Sequence, residues 1–239
     1  HTRSVSAFLL NRSSDLNPLT SLRSAVETLP LAKNENSRNR LMEIIQHDVR
    51  RLDRLITDIS DASRLDAELV REDARRVDLK KFVGELVDVS REVGSRKKAV
   101  EIEFRTAKLP QGAKGYFVLG HDLRLGQVIT NLIENARSFV PEGHGRIVVS
   151  LSRTARHVIL TVDDNGPGIR AENIERIFER FYTDRPAGEA FGQNSGLGLS
   201  ISRQIVEAHG GKLTAENIAG AKPGDVRGAR FIVTLPAEG

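Results

Sequence analysis

Apolar residues recur at helical spacing near the start of the chain. Four of them are separated by steps of three and four, which places them on one face of a helix. These residues are Leu19, Leu22, Val26 and Leu29. Pro18 suits the first turn of this helix, and Pro30 should kink or end it because proline has no backbone N–H to donate.

A second helix is predicted after a polar turn over residues 33–37, with Asn36 or Ser37 as its N-cap. Its apolar residues alternate steps of four and three, which forms a heptad-like seam. They are Leu41, Ile45, Val49, Leu52, Ile56 and Ile59. Two helices cannot bury two such seams alone. The pattern therefore predicts a helical hairpin that dimerises into a four-helix bundle, or else one that packs on the rest of its own chain.

Near residue 77 the pattern changes to an α+β order. Asp78 is the expected cap of a short helix that begins at Leu79, and two more helices are expected over residues 122–139 and 197–209. The predicted strands cover residues 99–104, 116–119, 146–152, 158–163, 212–216 and 229–235. A mixed sheet covered by helices on one face accommodates this order. Residues 170–195 are typical of a mobile loop with one short helix.

Composition narrows the function classes without naming one. The chain has 239 residues and a net charge of +4, with 36 basic and 32 acidic residues spread along it. This mixed-sign surface and the absence of Trp argue against nucleic-acid binding. There is no cysteine, which excludes disulfides and cysteine nucleophiles. No apolar run approaches the roughly 20 residues that span a bilayer, but a piece of a membrane protein would have the same composition.

Three segments carry candidate chemistry, and the first is an asparagine pair. Asn131 and Asn135 lie one turn apart on a predicted helix and face the same way. An amide oxygen is a neutral, hard ligand, suited to a Mg²⁺ ion that also binds phosphates. Surface or helix-capping asparagines would give the same spacing without any function.

The second segment is a glycine-rich turn after a predicted strand. Asp164 ends the strand and could accept a hydrogen bond from an exocyclic amine such as that of adenine. Gly166 and Gly168, followed by Ile169, would allow a ligand to approach the backbone closely. Taken alone, this is also simply a good turn sequence.

The third segment opens a helix. Its residues are Gly196, Leu197, Gly198 and Leu199. Backbone N–H groups at such a helix start can hold an anionic phosphate, although a ligand-free turn has the same composition. Between the second and third segments, Phe178 and Phe181 could clamp a flexible loop or simply pack in the core.

With these three segments in this order along the chain, residues 117–236 resemble the catalytic ATP-binding domain of sensor histidine kinases. Residues 17–69 resemble the dimerisation and histidine-phosphotransfer hairpin of the same family, and the run from Leu19 to Leu69 looks most like the ChvG/BvrS class. The resemblance implies two domains, a hairpin over residues 1–74 with an atypical start over 1–16, and an ATP-binding domain over 75–239. The expected fold class is α+β, a dimeric four-helix bundle followed by an α/β sandwich of the histidine kinase/Hsp90-like type.

The resemblance also assigns roles to residues. Asn135 becomes the main Mg²⁺ ligand with Asn131 beside it, and Asp164 contacts the adenine amine. The rest of the implied ATP site is Phe139, Gly166, Gly168, Ile169, Phe178, Phe181, Gly196, Leu197, Gly198 and Leu199. One departure lies in the asparagine segment, where the family often has Lys and this chain has Ser138. A nearby Arg could replace that phosphate contact.

A larger departure concerns the phosphoacceptor. The family pattern is His-Glu-x-x-Asn-Pro-Leu-Thr, and the half from Asn17 onward matches. Ser13 stands where the His is expected, and Ser14 stands where the acid is expected. Because a serine hydroxyl needs a general base and would form a stable ester, it is not a simple substitute for imidazole. Either residues 1–16 replace the native start of the helix, which we favour, or the kinase is degenerate.

The resemblance implies a function and partners for the chain. It predicts a homodimeric kinase core that uses ATP and Mg²⁺ and passes phosphate to the receiver domain of a response regulator. The parent would be an inner-membrane sensor, of which this chain would be a soluble cytoplasmic part. An ATP-binding pseudokinase that serves as a dimeric interaction module is the alternative. A chaperone or mismatch-repair ATPase is disfavoured, because those have Glu where this chain has Asn131.

Overall fold

The computed structural model describes two compact units, one containing the described residues up to 56 and the other those from 74 onward. The described residues are 18–32, 34–46, 48, 49, 52, 56, 74–94, 100–180, 182, 196–220, 222 and 224–238. Among these residues, no helix combines the length and the apolar character needed to cross a bilayer.

Among its described residues, the first unit contains two helices. Helix α1 spans Pro18–Thr28 and runs into a 3-10 turn over Leu29–Leu31, so both prolines act where the sequence predicts. Helix α2 includes residues 35–46, 48, 49, 52 and 56. The predicted cap of α2 is wrong: Asn34 Oδ1 accepts a hydrogen bond from the Ser37 amide at 2.8 Å. This is the N-cap to N3 contact, so the helix starts before Asn36 and Ser37. Ile59 lies outside the described residues.

The second unit combines seven strands and three α-helices among its described residues. They are β1 (Arg75–Asp78), α3 (Leu79–Gly94), β2 (Val100–Thr106), β3 (Phe117–Gly120), α4 (Asp122–Phe139), β4 (Gly145–Arg153), β5 (His157–Asp164), α5 (Gly198–Ala208), β6 (Lys212–Ala219) and β7 (Val226–Pro236). Asp78 caps α3 as predicted, through a 3.0 Å hydrogen bond from the Lys80 amide. Strand β1 was not predicted, and α3 has 16 residues, longer than the short helix expected there.

Five strands form a mixed sheet in the order β2-β4-β5-β7-β6. Strands β2 and β4 are parallel, and the other neighbours are antiparallel. Strands β1 and β3 form a separate antiparallel pair. The described part of the 170–195 segment contains two 3-10 turns, Ala171–Asn173 and Arg176–Phe178, instead of the single short helix predicted there.

Burial alternates along the central strands, so one face of the sheet is covered by helices α3, α4 and α5. The buried strand residues include Ile147, Val149, Leu151, Val158, Leu160, Val162, Phe231, Val233 and Leu235. Each such side chain contributes about 1.5–3 kcal/mol when fully buried. This packing fixes the C-terminal end of β5 beside α4, and that end carries the glycine-rich turn.

Candidate functional site

Within the described residues, Asp164 at the end of β5 has hydrogen-bond partners on only one of its two carboxylate oxygens. Asp164 is 6% exposed, and its Oδ1 accepts hydrogen bonds from the amides of Gly166 at 2.8 Å and Ala229 at 3.2 Å. Burial raises the pKa of Asp164, and this effect outweighs the two backbone hydrogen bonds, which lower it. Within the described part of the chain, no hydrogen bond reaches its other oxygen, Oδ2. That oxygen remains available to a ligand.

Two glycines after Asp164 are required by close approach. A Cβ on Gly166 would lie 2.9 Å from the carbonyl oxygen of Phe139, the last residue of α4. Gly168 has φ +78°, and a Cβ there would lie 2.8 Å from Oδ1 of Asn217. Any larger residue would push the turn away from α4 or from β6. The turn is therefore pressed between a helix end and a strand.

Two asparagine side chains fasten the turn to its surroundings. Asn165 Oδ1 accepts from the Arg146 amide at 2.7 Å, and its Nδ2 donates to the His144 carbonyl at 2.8 Å. Asn217 accepts from the Ile169 amide and donates to the Ile169 carbonyl, both at 2.7 Å. Sequence reasoning missed Asn217. It lies 48 residues from Ile169, and no local pattern marks it.

The two asparagines of α4 lie in different environments. Asn131 Nδ2 donates to the Gly198 carbonyl and to Ser202 Oγ, both at 3.3 Å, so it joins α4 to the start of α5. Asn135 is half-buried one turn later, and its side-chain amide forms no hydrogen bond within the described residues. Ser138 Oγ donates to the Asn135 carbonyl at 2.7 Å, back onto its own helix. The whole side-chain amide of Asn135 is therefore available to a ligand, whereas Asn131 offers only its Oδ1.

The start of α5 has the geometry of an anion site. Gly196 has φ +73°, Leu197 is 3% exposed, and the helix begins at Gly198 with Leu199 next. Leu197 occupies the N-cap position and provides no side-chain cap. Within the described residues, no side chain caps the first amides of α5, and the positive end of the helix dipole lies there.

The aromatic residues are only partly described. Phe178 is buried, and the Arg203 guanidinium of α5 lies 5.0 Å from its ring centroid. The core-packing interpretation therefore holds for Phe178. Phe139 is half-buried at the end of α4, beside Gly166. Phe181 lies outside the described residues, so its predicted clamping role stays a prediction.

The structure brings the three predicted segments together around α4. Asn131 touches Gly198 at the start of α5, and the end of α4 touches the turn at Gly166. Two other predicted site residues, Ser13 and Asn17, lie outside the described part of the chain. Where the structure is described, it holds no group of three or more His, Asp or Glu side chains that could bind a metal ion. The amide oxygen of Asn135 could join ligand oxygens around a metal ion.

This fold and this arrangement define a class of nucleotide-binding protein. The chain belongs to the family of Histidine kinase-, DNA gyrase B-, and HSP90-like ATPases, which matches residues 120–239. Residues 16–68 match the His Kinase A (phospho-acceptor) domain. Both domains of a sensor histidine kinase are thus present, in the order that the sequence predicted.

Among individual proteins, the chain is similar to Sensor protein ChvG. It is 67% identical to that of Rhizobium meliloti (strain 1021) over 221 residues, which are 92% of this chain and 38% of that protein. It is 64% identical to that of Agrobacterium fabrum (strain C58 / ATCC 33970) over 235 residues, 98% of this chain and 39% of that protein. The predicted likeness to the ChvG/BvrS class is confirmed. The chain spans about two fifths of the length of these relatives.

Solved structures show the same family. The crystal structure of histidine kinase ThkA in complex with response regulator protein TrrA matches with a TM-score of 0.66 and 25% identity. That match covers 93% of this chain and 58% of the ThkA chain. The predicted fold class, a helical unit followed by an ATP-binding α/β sandwich, is confirmed.

Proposed function

We propose that this chain is the kinase core of a two-component sensor histidine kinase. In this proposal, residues 75–239 bind ATP with Mg²⁺, and residues 1–74 provide the dimerisation and phosphotransfer hairpin. In the family, the γ-phosphate passes to a histidine on the hairpin and then to an aspartate of a response regulator, and in this chain Ser13 stands at the position of that histidine. The observation that carries the proposal is the carboxylate of Asp164, which has one oxygen fixed by two amides and the other available to a base.

Adenine recognition follows from that geometry. Oδ2 of Asp164 accepts a hydrogen bond from the exocyclic amine of adenine, while Oδ1 stays bound to the amides of Gly166 and Ala229. A guanine would present a carbonyl oxygen where adenine has its amine. Two acceptors would then face each other, so the site selects adenine nucleotides.

Phosphate binding uses the start of α5. The first amides of α5 hold the phosphate oxygens, and Asn135 provides the amide oxygen for Mg²⁺. When bound, the ion neutralises part of the phosphate charge. Ser138 cannot replace the lysine that the family often has, because its hydroxyl donates to its own helix at the Asn135 carbonyl.

The residue that accepts the phosphate is the point at which this sequence departs from the family pattern. Attack by an imidazole nitrogen on the γ-phosphorus forms an acid-labile P–N bond and releases ADP, whereas Ser13 would form an acid-stable ester. The match to the Agrobacterium fabrum protein covers 98% of the chain and so extends into residues 1–16. We favour an altered start of the same helix, because the mismatch with the family pattern is confined to the residues before Asn17. The alternative, a pseudokinase that binds ATP without transferring it, is favoured by Ser13 and Ser14 alone.

The test is to incubate the chain with γ-labelled ATP and measure protein-bound label before and after acid treatment. We expect no acid-labile label on the chain as it stands. The double variant Ser13→His with Ser14→Glu should acquire it. Calorimetry with ADP is the control and should give the same affinity for both proteins.

Each contrary result has a distinct meaning. Acid-labile label on the unchanged chain would show that another histidine is the acceptor. No ADP binding by the folded protein would reject the ATP site. A double variant that binds ADP but remains unlabelled would favour the pseudokinase.

A second copy of the chain is the proposed partner of the helical unit. Apolar side chains on both helices are exposed, among them Leu19 at 56% and Ile56 at 64%. Burying them in a four-helix dimer removes this area from water. Ile56→Asp should give monomers in light scattering, whereas Gln46→Asp at an exposed polar position of the same helix should not. Unchanged dimers in Ile56→Asp would reject this interface.

The response regulator and the membrane anchor are proposed from the relatives. ThkA is the histidine kinase of a complex with a response regulator protein, and we extend that partner class to this chain. Because the chain covers only 38–39% of the ChvG proteins, we propose that it is the cytoplasmic part of a longer membrane sensor.

A further inference from the structure

Two residues that face each other in the sheet hold the two ends of the glycine-rich turn. Asn217 of β6 is paired with Ala229 of β7. The Ala229 amide donates to Asp164 at the start of the turn, at 3.2 Å. The side chain of Asn217 binds the backbone of Ile169 at its end. One rung of the β6–β7 ladder therefore binds both ends of the turn.

A bulge in the same ladder places this rung. The pairing passes from Asn217 with Ala229 to Ala219 with Val226, so β7 has one residue more than β6 over this interval. Gly228 lies within it, and a Cβ there would lie 1.7 Å from the carbonyl oxygen of Asp164. The strand therefore bends directly against the end of β5. Bulges commonly redirect side chains beside functional sites.

The contact between Asn217 and Ile169 needs both halves of an amide. Its oxygen accepts from the Ile169 N–H, and its nitrogen donates to the Ile169 carbonyl, each at 2.7 Å. Only an amide side chain offers a fixed donor and a fixed acceptor side by side. The same oxygen lies 2.8 Å from the place that a Cβ on Gly168 would occupy. Asn217 thus binds Ile169 and also leaves no room for a side chain at Gly168.

We propose that Asn217 is a positioning residue for nucleotide binding. It holds Gly168 and Ile169 in the conformation that keeps Oδ2 of Asp164 open to the adenine base. The effect passes through the backbone of the turn, and Asn217 itself contacts no atom of the nucleotide. This inference rests on the proposed ATP site and assigns that site a residue outside the three sequence segments.

The experiment compares three variants of the full chain by calorimetry with ADP and Mg²⁺. Asn217→Ala removes both hydrogen bonds and should weaken ADP binding about tenfold. Asn217→Asp keeps the acceptor for the Ile169 N–H and should lose less affinity. The control is Thr214→Ala, on the same strand and opposite Ile232, which should bind ADP like the wild type.

A spectroscopic signal separates positioning from general destabilisation. In the nucleotide-free protein, hydrogen exchange at the Ile169 amide should become fast in Asn217→Ala but stay slow in Asn217→Asp and Thr214→Ala. Exchange in the centre of β5, at Leu160 and Val162, should be unchanged in all three. If Asn217→Ala does not fold, the decision passes to Asn217→Asp, whose carboxylate has nearly the same shape.

Each of the following results for Asn217→Ala or Thr214→Ala would overturn the inference. ADP binding by Asn217→Ala within twofold of the wild type would overturn it, and so would an Ile169 amide that stays protected in that variant. An affinity loss of the same size in Thr214→Ala would also do so, because any change in β6 would then suffice. If the wild type and Thr214→Ala both fail to bind ADP, the proposed ATP site itself fails and the inference falls with it.

Discussion

The two ends of the proposed nucleotide site differ in how much of their hydrogen bonding is complete. At the base end, which we define as residues 164–169 with Asn217 and Ala229, the backbone is held by β6 and β7. The phosphate end is defined as Asn131, Asn135 and the first turn of α5. Within the described residues, no side chain caps α5 there, and the side-chain amide of Asn135 forms no hydrogen bond. The base end is therefore preorganised, while the phosphate end is completed by its ligand.

This difference indicates which changes damage the protein and which damage only binding. A group that already bonds within the protein contributes to folding, and its loss destabilises the structure. A polar group without a hydrogen-bond partner in the protein contributes nothing to stability until the ligand binds. Substitutions at the base end should therefore affect both stability and affinity. At the phosphate end, substitution of Asn131, which bonds to α5, should affect stability, whereas substitution of Asn135 should affect affinity alone.

The largest effect is expected where β7 meets β5. Gly228→Ala would place a methyl group 1.7 Å from the Asp164 carbonyl oxygen, so the strands must separate. We expect the free energy of unfolding to fall by about 3 kcal/mol, with ADP binding lost. Urea unfolding and calorimetry measure the two effects. The matched control is Gly224→Ala, at φ +88° with nothing within 4 Å of the added Cβ, which should cost about 1 kcal/mol and keep binding. Equal effects of the two substitutions would contradict the steric explanation.

The next effect separates the two oxygens of one carboxylate. Asp164→Asn keeps an oxygen for the amides of Gly166 and Ala229 but presents an NH₂ group to the adenine amine. ADP binding should weaken by about 1–3 kcal/mol, roughly ten- to hundredfold in Kd. The control is Asp163→Asn at the neighbouring residue, whose carboxylate binds Arg230 at 2.6 and 2.8 Å. It should leave ADP affinity unchanged, and a similar loss in both variants would count against direct recognition.

A smaller effect contrasts the two asparagines of α4. Asn135→Ala should reduce the affinity for ADP with Mg²⁺ on the order of tenfold, as for other ligand-shell changes at metal sites. It should not change the affinity without Mg²⁺ or the melting temperature. Asn131→Ala loses two hydrogen bonds to α5 and should cost about 1 kcal/mol of stability. Calorimetry with and without Mg²⁺ would reject the assignment if Asn131 carried the metal dependence instead.

The smallest effect concerns acid. His209 accepts from the His121 amide through Nε2 at 3.1 Å and bonds the Ile205 carbonyl through Nδ1 at 2.7 Å, which requires the neutral ring. Burial lowers the pKa of His209 below its ordinary 6.5, and the neighbouring His121 adds to this. The unfolded chain therefore binds the proton more readily, so this stabilisation is complete above pH 6.5 and is lost as the pH falls below it. His209→Gln should have a lower melting temperature at pH 8, with a smaller difference from the wild type at pH 5.5. A constant difference would contradict the linkage.

Much of the fold could be predicted from the sequence, because the informative elements are long and regular. Helix α4 begins at Asp122 and ends at Phe139 as predicted, since its apolar positions repeat over five turns. Strand β1 was missed because it has four residues with only Val77 buried, and it forms by pairing with the distant β3. The cap of α2 was misplaced because Asn34, Asn36 and Ser37 are all suitable caps. The backbone angles decide among them.

The site was predictable only where its residues form local motifs. Asp164, Gly168 and Gly198 are marked by spacing along the chain. Asn217 is not, because its role comes from a strand register and a bulge that depend on β7. A one-residue slip would turn Asn217 to the other face of the sheet, and no local pattern fixes that register.

The dependence of Asp164 on Ala229 has a consequence for the order of events during synthesis. The two residues are 65 positions apart, and Ala229 belongs to the last strand of the sheet in chain order. At 5–20 residues per second, a ribosome needs about 3–13 s to add the intervening segment. During that interval the nascent chain contains the Asp164 carboxylate, which is proposed to bind adenine, but not the Ala229 amide that orients it. ATP should therefore not stabilise partly made chains, and nucleotide binding should mark the completed domain.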